Sequence, residues 1–350
     1  MKRLVSSGTL FLLGLLAVSC MQQSPYPNAV SFEREDFKSE QLHGEILTFD
    51  DIIMRPICLS VYDSLLITCN QGSEKLFHIF NLHTRKKIGE RITVGQGPLE
   101  MLMPYFVPRT DSVQLFDMMN ATVFTYAIAD FVNQETPIPS SRVQLSEKPF
   151  WSELGALDRR FIGVSYKPDS PCYLFAENGE KLMNFGSYPK AHGVTYTDTE
   201  KINAYRAILA TNGKNRVAVC HFFTDLIDLY DENGNLIKEL YGPDHFATSF
   251  KESRTETEIK VIPDPQMYRD AFYNPVHAGD ALFVLYNGKF VNEQDYNLLA
   301  KEIFVFDWDG NPKAHYKLDQ GISRMAIDEV NRKIYGVSDD PEYHIVVFNY

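Results

Sequence analysis

The feature that most restricts this 350-residue chain is a short strand pattern closing on an aromatic ring, which returns six times: 76–81, 122–126, 172–177, 226–231, 302–307 and 344–349. Between the closing rings of Phe80, Tyr126, Phe175, Tyr230, Phe306 and Phe348 the steps are 46, 49, 55, 76 and 42 residues. Before each recurrence a second apolar strand opens just after a turn residue: Asp63, Asp111, Asp158, Asn215, Asp280 and Asn331. The lag from turn residue to ring is 17, 15, 17, 15, 26 and 17, so five units share one register and the fifth in chain order carries an insertion. Asn178-Gly179, Asn233-Gly234 and Asp309-Gly310 follow three of the recurrences, and such dipeptides supply the positive φ angles that tight hairpins need. An inner strand ahead of each turn residue and an outer strand behind each hairpin complete four strands per unit. Self-similarity at this period predicts an all-β chain, a six-bladed β-propeller with four-stranded blades spanning 44–350. Two separate β domains are the competing architecture, but the spacing runs evenly and no composition break divides the chain.

The sixth unit reaches Tyr350 directly after its third strand, which predicts an unpaired edge, and such edges invite association with other chains. Gly44-Glu45-Ile46-Leu47-Thr48-Phe49 is the spare strand-like stretch ahead of the first unit. It is expected to pair beside 344–349 and close the ring.

Lys2 and Arg3 precede an apolar stretch, Leu10 to Val18, that is too short to span about 30 Å of hydrocarbon and is shaped like an export signal. Its end, Leu16-Ala17-Val18-Ser19-Cys20, resembles the lipobox of bacterial lipoproteins, with Ala17 where that family usually has Leu. The resemblance implies a signal peptide at 1–19, lipidation of Cys20 and a tether over 20–43, so that acyl chains hold the protein at a membrane. The formal charge is −12, and −14 once Lys2 and Arg3 are removed. Nucleic-acid binders need a basic footprint, so no DNA or RNA partner is expected. No acidic run follows Cys20, and since such a run resembles the surface-export tag of Bacteroidetes lipoproteins, the resemblance implies a periplasm-facing position at the outer membrane.

The lipobox, the six repeats, Gly95-Gln96-Gly97-Pro98-Leu99-Glu100 after the first unit and the closing segment from Leu318-Asp319 to Tyr350 together resemble the TolB-like six-bladed propeller lipoproteins of the Bacteroidetes type. Relatives usually carry a second Gly where Leu99 stands. The resemblance covers nearly the whole mature chain and implies the fold and a cell-envelope location; it carries over no activity and no functional residue. Gly95-Gln96-Gly97-Pro98 itself reads as a turn, because a phosphate cradle needs a following helix N-terminus and the next inner strand follows here instead.

Linear catalytic motifs are absent. His-Glu-x-x-His, Gly-x-Ser-x-Gly and Cys-x-x-Cys do not occur, and the nine His show no metal-ligand spacing. No cofactor is expected; a central Ca²⁺ or Zn²⁺ belongs only to the alternative, a propeller hydrolase or lyase whose channel metal is assembled from isolated side chains. Cys58 and Cys69 face each other if Asp63-Ser64 is a two-residue hairpin. They fall at a hydrogen-bonded pair, whose wider spacing suits a disulfide less well, so two small buried strand residues are the favoured reading.

Long insertions at 191–203, 244–271 and 287–300 all belong to connections that share one face of a propeller, and long loops on a rigid scaffold are where binding concentrates. The stretch 252–260 reads as solvated helix or loop. Near the inner-strand starts on that face lie Arg55, Met103, Phe150, Arg206, Phe272 and Arg324, flanked by Tyr105, Trp151, Tyr205 and Tyr273. Three guanidinium groups and several rings around one mouth suit an anionic ligand or a stacked sugar, because Arg forks grip oxyanions through paired hydrogen bonds. The sequence therefore points to a monomeric, lipid-anchored binding or protein-interaction module, with Arg55, Arg206, Arg324, Tyr105, Trp151, Tyr205 and Tyr273 as its candidate ligand residues.

Overall fold

Each sequence repeat becomes an antiparallel meander in the computed structural model, which describes residues 24–149, 154–255, 258–294 and 296–350. The first blade comprises Arg55–Tyr62, Leu65–Gln71, Lys75–Asn81 and Lys86–Thr93. The second comprises Pro104–Val107, Ser112–Asp117, Thr122–Ala127 and Ser141–Gln144, and the third Leu154–Leu157, Arg160–Lys167, Ser170–Phe175 and Lys181–Phe185. Ala207–Thr211, Arg216–His221, Leu226–Asp231 and Leu236–Tyr241 form the fourth; Phe272–Ala278, Ala281–Tyr286, Ala300–Asp307 and Pro312–Ile322 the fifth. The sixth takes Arg324–Asp328, Lys333–Ser338 and His344–Asn349 from the end of the chain and Glu45–Leu47 from its beginning. Inner strands of successive blades pack on one another around the whole ring, the sixth against the first included.

The turn residues do what their type allows. Gly179, Gly234 and Gly310 have φ of 85°, 80° and 75°, closing third-to-fourth-strand hairpins. In the fourth and fifth blades one carboxylate staples that hairpin: Asp231 Oδ1 accepts from the Asn233 and Asn235 amides, and Asp307 Oδ1 from the Asp309 and Asn311 amides. The Gly95–Glu100 stretch is a turn held by its own carboxylate, Glu100 Oε2 accepting the Gly97 amide at 2.8 Å, and a Cβ on Gly95 would lie 2.0 Å from that oxygen. Cys58 and Cys69 pair across the first hairpin as free thiols, and burial pushes the Cys69 thiol well above its ordinary value.

The core is divided among the seams. Alternating residues on each sheet bury an apolar cluster between every pair of neighbouring blades, six clusters for six interfaces among the described residues. A seventh, built on Tyr26, Tyr188, Tyr205, Tyr241 and Phe250, lies beneath the long loops. At the seam that closes the ring, Ile46 pairs with Val346 and Leu47 with Ile345, antiparallel, as the unpaired edge requires. Leu47, 4% exposed, packs there with Val337, Val347, Leu59 and Phe80.

The segment ahead of this strand departs from the expected tether. Val30–Ser31 adds as a parallel fifth strand outside Leu236–Tyr241, and Lys38–Leu42 does the same outside Pro312–Ile322. Phe32 and Phe37 pack against Phe304 and Phe306. Between them Arg34 grips Glu302 with two bonds of 2.8 and 2.9 Å and Asp244 with one of 2.6 Å, while His315 Nε2 reaches Glu302 at 2.7 Å. Burial alone would raise the Glu302 carboxyl; His315 and Arg34 outweigh it and hold the group down at about 2. The tether assigned to 20–43 is thus folded onto the propeller from Tyr26 onward, because two aromatic anchors and a half-buried ion pair offset the ordering of a polar stretch. A further expectation changes at 252–260: Phe250–Arg254 pairs antiparallel with Ile259–Pro263, in place of helix or loop. The face opposite the long insertions carries a long connection too, since the third-to-fourth connection of the second blade holds the helix Ile128–Asn133.

Replacing Leu47 by Ala should lower stability by about 2–4 kcal/mol through the cavity it leaves at the closing seam, read as a lower urea midpoint. Deleting residues 24–49 should expose the His344–Asn349 edge and give concentration-dependent association by light scattering.

Candidate functional site

Tyr105, Arg206, Tyr273 and Arg324, contributed by the second, fourth, fifth and sixth blades, line one cavity of about 350 Å³ at the channel mouth on the loop-rich face. Sequence position gathers them: each lies at or beside the start of an inner strand, at one height in the ring. The remaining walls come from Phe222 and Phe223, in the connection after Arg216–His221, and from Tyr268, Asp270, Tyr296 and Leu298 in the two long fifth-blade insertions.

The two cations are held differently. Arg324 donates from Nε to the Ile57 carbonyl at 2.9 Å and from Nη1 to the Ser323 carbonyl at 2.7 Å, so the sixth and first blades fix it jointly. Arg206 lies with Cζ 5.9 Å from the centroid of the Phe223 ring, which packs in turn, tilted, against Tyr268 at 5.1 Å. Phe222 packs against Tyr273 at 5.5 Å. At Asn274 the inner strand of the fifth blade bulges, with φ of 38°, and the side chain accepts the Met325 amide at 2.6 Å. That bond locks two blades together at the cavity wall, a common use of bulges beside sites.

Asp270 is the buried acid of the cavity, 2% exposed. Burial pushes its carboxyl above the ordinary range, against donated bonds from Tyr273, Tyr296 and Asn287. Burial likewise raises the hydroxyls of Tyr273 and Tyr296, which stay protonated donors. Two arginines against this one acid give the cavity an excess of positive side chains within an acidic protein. Among the described residues no three His, Cys, Asp or Glu side chains gather as metal ligands, and no helix is long and apolar enough to cross a membrane.

Other candidates fall elsewhere. Arg55 is exposed, pairs with Gln71 and is not among the lining residues; the extra residue Ile57 between Pro56 and Cys58 slips the strand register by one and re-aims it. Tyr205, one residue before Arg206, points the other way: it is 2% exposed, its hydroxyl 3.3 Å from that of Tyr26 beneath the long loops. Trp151 and Cys20 lie outside the described residues. Sequence reasoning misses four lining residues: Asp270 and Tyr296, whose signal is the insertions at 244–271 and 287–300, and Phe222 and Phe223, in the short connection after Arg216–His221, which carries no such signal.

Below Tyr205 lies a second buried polar group. His221 Nε2 meets Asp228 Oδ2 at 3.1 Å, and Asp228 pairs in the sheet with Glu239. Burial, and then the neighbouring Asp228 carboxylate, pushes the Glu239 carboxyl up to about 7. A carboxyl raised above its unfolded value contributes stability below about pH 4.5 that is lost as pH rises through the folded value. Glu239→Gln should therefore match the parent at pH 4 and exceed it at pH 8 by about 1–2 kcal/mol, allowing for the side chain's residual hydration, measured by denaturation at both pH values.

A family described as TolB-like 6-blade propeller-like matches the chain over residues 35–330. A crystal structure of a member of the DUF4221 family from Bacteroides vulgatus superposes with a TM-score of 0.52 at 9% identity, covering 89% of this chain and 96% of that one. A Bacteroides fragilis protein described as exported does so with a TM-score of 0.51 at 12% identity, covering 92% and 98%. No curated protein matches the sequence. At such identities the solved structures share the fold alone.

Proposed function

Since the chain belongs to the TolB-like six-bladed propeller family, whose ring offers one loop-built mouth, we propose that it is a binding module of the cell envelope that takes a small anionic or saccharide ligand in the cavity of Arg206 and Arg324. One observation carries this reading: two guanidinium groups from different blades line the same aromatic-walled cavity. Arg forks take a carboxylate or phosphate through paired bonds, and the Tyr105, Phe222 and Tyr273 rings offer faces for a sugar. Asp270 accepts the Tyr296 hydroxyl, and the two guanidinium groups outnumber it. A preformed cavity of this size, with few polar groups among rings, has the usual build of a small-molecule site.

The Leu16–Cys20 pattern supports export and lipidation at Cys20, with one acylated protein held at the outer membrane and facing the periplasm. The Bacteroides fragilis protein of the same fold is described as exported.

A thermal-shift screen of the purified protein against uronic acids, sialic acid and sugar phosphates tests the proposal. A ligand at about 100 times its Kd should raise Tm by about 3–6 °C. Arg206→Ala or Arg324→Ala should abolish the rise, and Arg55→Ala should leave it intact. A rise indifferent to both cavity arginines would place the ligand elsewhere.

A further inference from the structure

The loop-rich face carries a second hollow, of about 470 Å³, between the first and second blades. Ser73 and Glu74 border it from the connection between the second and third strands of the first blade, and Val94 from the turn that Glu100 closes. No Lys or Arg lines it.

Its wall contains an unsatisfied acceptor. Asn70 is 0% exposed; its Nδ2 is taken up by the Thr68 carbonyl and hydroxyl and by the Leu76 carbonyl. The Oδ1 of the same amide is buried with no donor. A buried acceptor left unpaired is costly, and in native structures such an atom calls for an explanation. The Glu74 carboxylate and this orphaned acceptor favour an occupant that brings donors, while the Gln71 amide and Ser73 hydroxyl in the same lining can donate or accept.

It also adjoins the arginine cavity. Tyr105 lines both. Ile57, the bulged residue of the first inner strand, lines the second hollow while its carbonyl holds Arg324 Nε at 2.9 Å. Whatever fills one hollow is therefore one ring and one hydrogen bond from the other.

We propose that the two hollows are successive subsites of one groove for an acidic oligosaccharide. A carboxylated sugar lies at Arg206 and Arg324, a neutral sugar donates its hydroxyls to Asn70 and Glu74, and Tyr105 stacks between them. This rests on the anion-binding reading of the first cavity and extends it to ligand length and class. Sugar hydroxyls supply donors without bringing a second charge. An extended peptide presents carbonyl acceptors as often as N–H groups, and no Lys or Arg lines the hollow to take them.

Calorimetric titration of the full protein with glucuronate, with the hyaluronan tetrasaccharide and with an alternating Glu-Ser hexapeptide tests this. The tetrasaccharide should bind at least about tenfold more tightly than glucuronate. Val94→Trp, a rim substitution at a residue 43% exposed and so compatible with folding, should erase that gain and leave glucuronate binding unchanged. Asn70→Leu should do the same where it folds. Equal affinity for one sugar and four, or a Val94→Trp loss shared equally by both probes, overturns the second subsite and leaves the first standing. Binding of neither probe, or binding indifferent to Arg206→Ala, overturns the first reading and this one with it. A hexapeptide that outbinds the tetrasaccharide overturns the choice of ligand class.

Discussion

The pairing of Ile46 and Leu47 with Val346 and Ile345 turns a row of sheets into a ring. Every other seam joins blades that follow one another directly in sequence; this one spans the chain. Its apolar cluster brings Leu47, Val337 and Val347 against Leu59 and Phe80, so the first and sixth blades become neighbours like any others. Only in a closed ring do six inner strands point at a common mouth. The contact between Arg324 of the last blade and the Ile57 carbonyl of the first crosses this same seam. Ring closure and the shape of the arginine cavity are thus one structural fact.

Much of the architecture was legible because its signals are local. Alternating strands, Asp or Asn before an apolar run and Asn-Gly or Asp-Gly at a hairpin each fix a few residues, and six repetitions made the count certain. The seating of 30–42 was not legible. Lys38-Ser39-Glu40-Gln41-Leu42 buries Leu42 alone, so its outer-strand role leaves almost no apolar alternation to read. Phe32 and Phe37 were the available clue, and their partners Phe304 and Phe306 lie far along the chain.

The site was legible in height but not in direction. Counting from the turn residues places Arg206, Arg324, Tyr105 and Tyr273 at one level of the ring, and all four reach the cavity. The same count cannot see a helix end. Tyr205 caps the helix Asp198–Ala204 and Arg206 leads into the inner strand, so of two adjacent residues one reaches the mouth and the other is buried beside Tyr26. Nor can it see a bulge: the extra residue at Ile57 displaces Arg55 by one position. Asp270 and Tyr296 come from irregular insertions, where no period exists to extrapolate.

The order in which the ring can be assembled follows from where the first residues find their partners. Val30 pairs with Leu240, Lys38 with Ala314 and Ile46 with Val346. A chain emerging amino end first from a ribosome or a translocation channel therefore carries its opening fifty residues past three complete blades before their neighbours exist. Contacts so distant in sequence form late. Until the final strand emerges, the unfinished ring has no closing partner at its last edge, and the early strands remain free to stay extended. Such a topology makes the last strand to emerge the one that completes the ring.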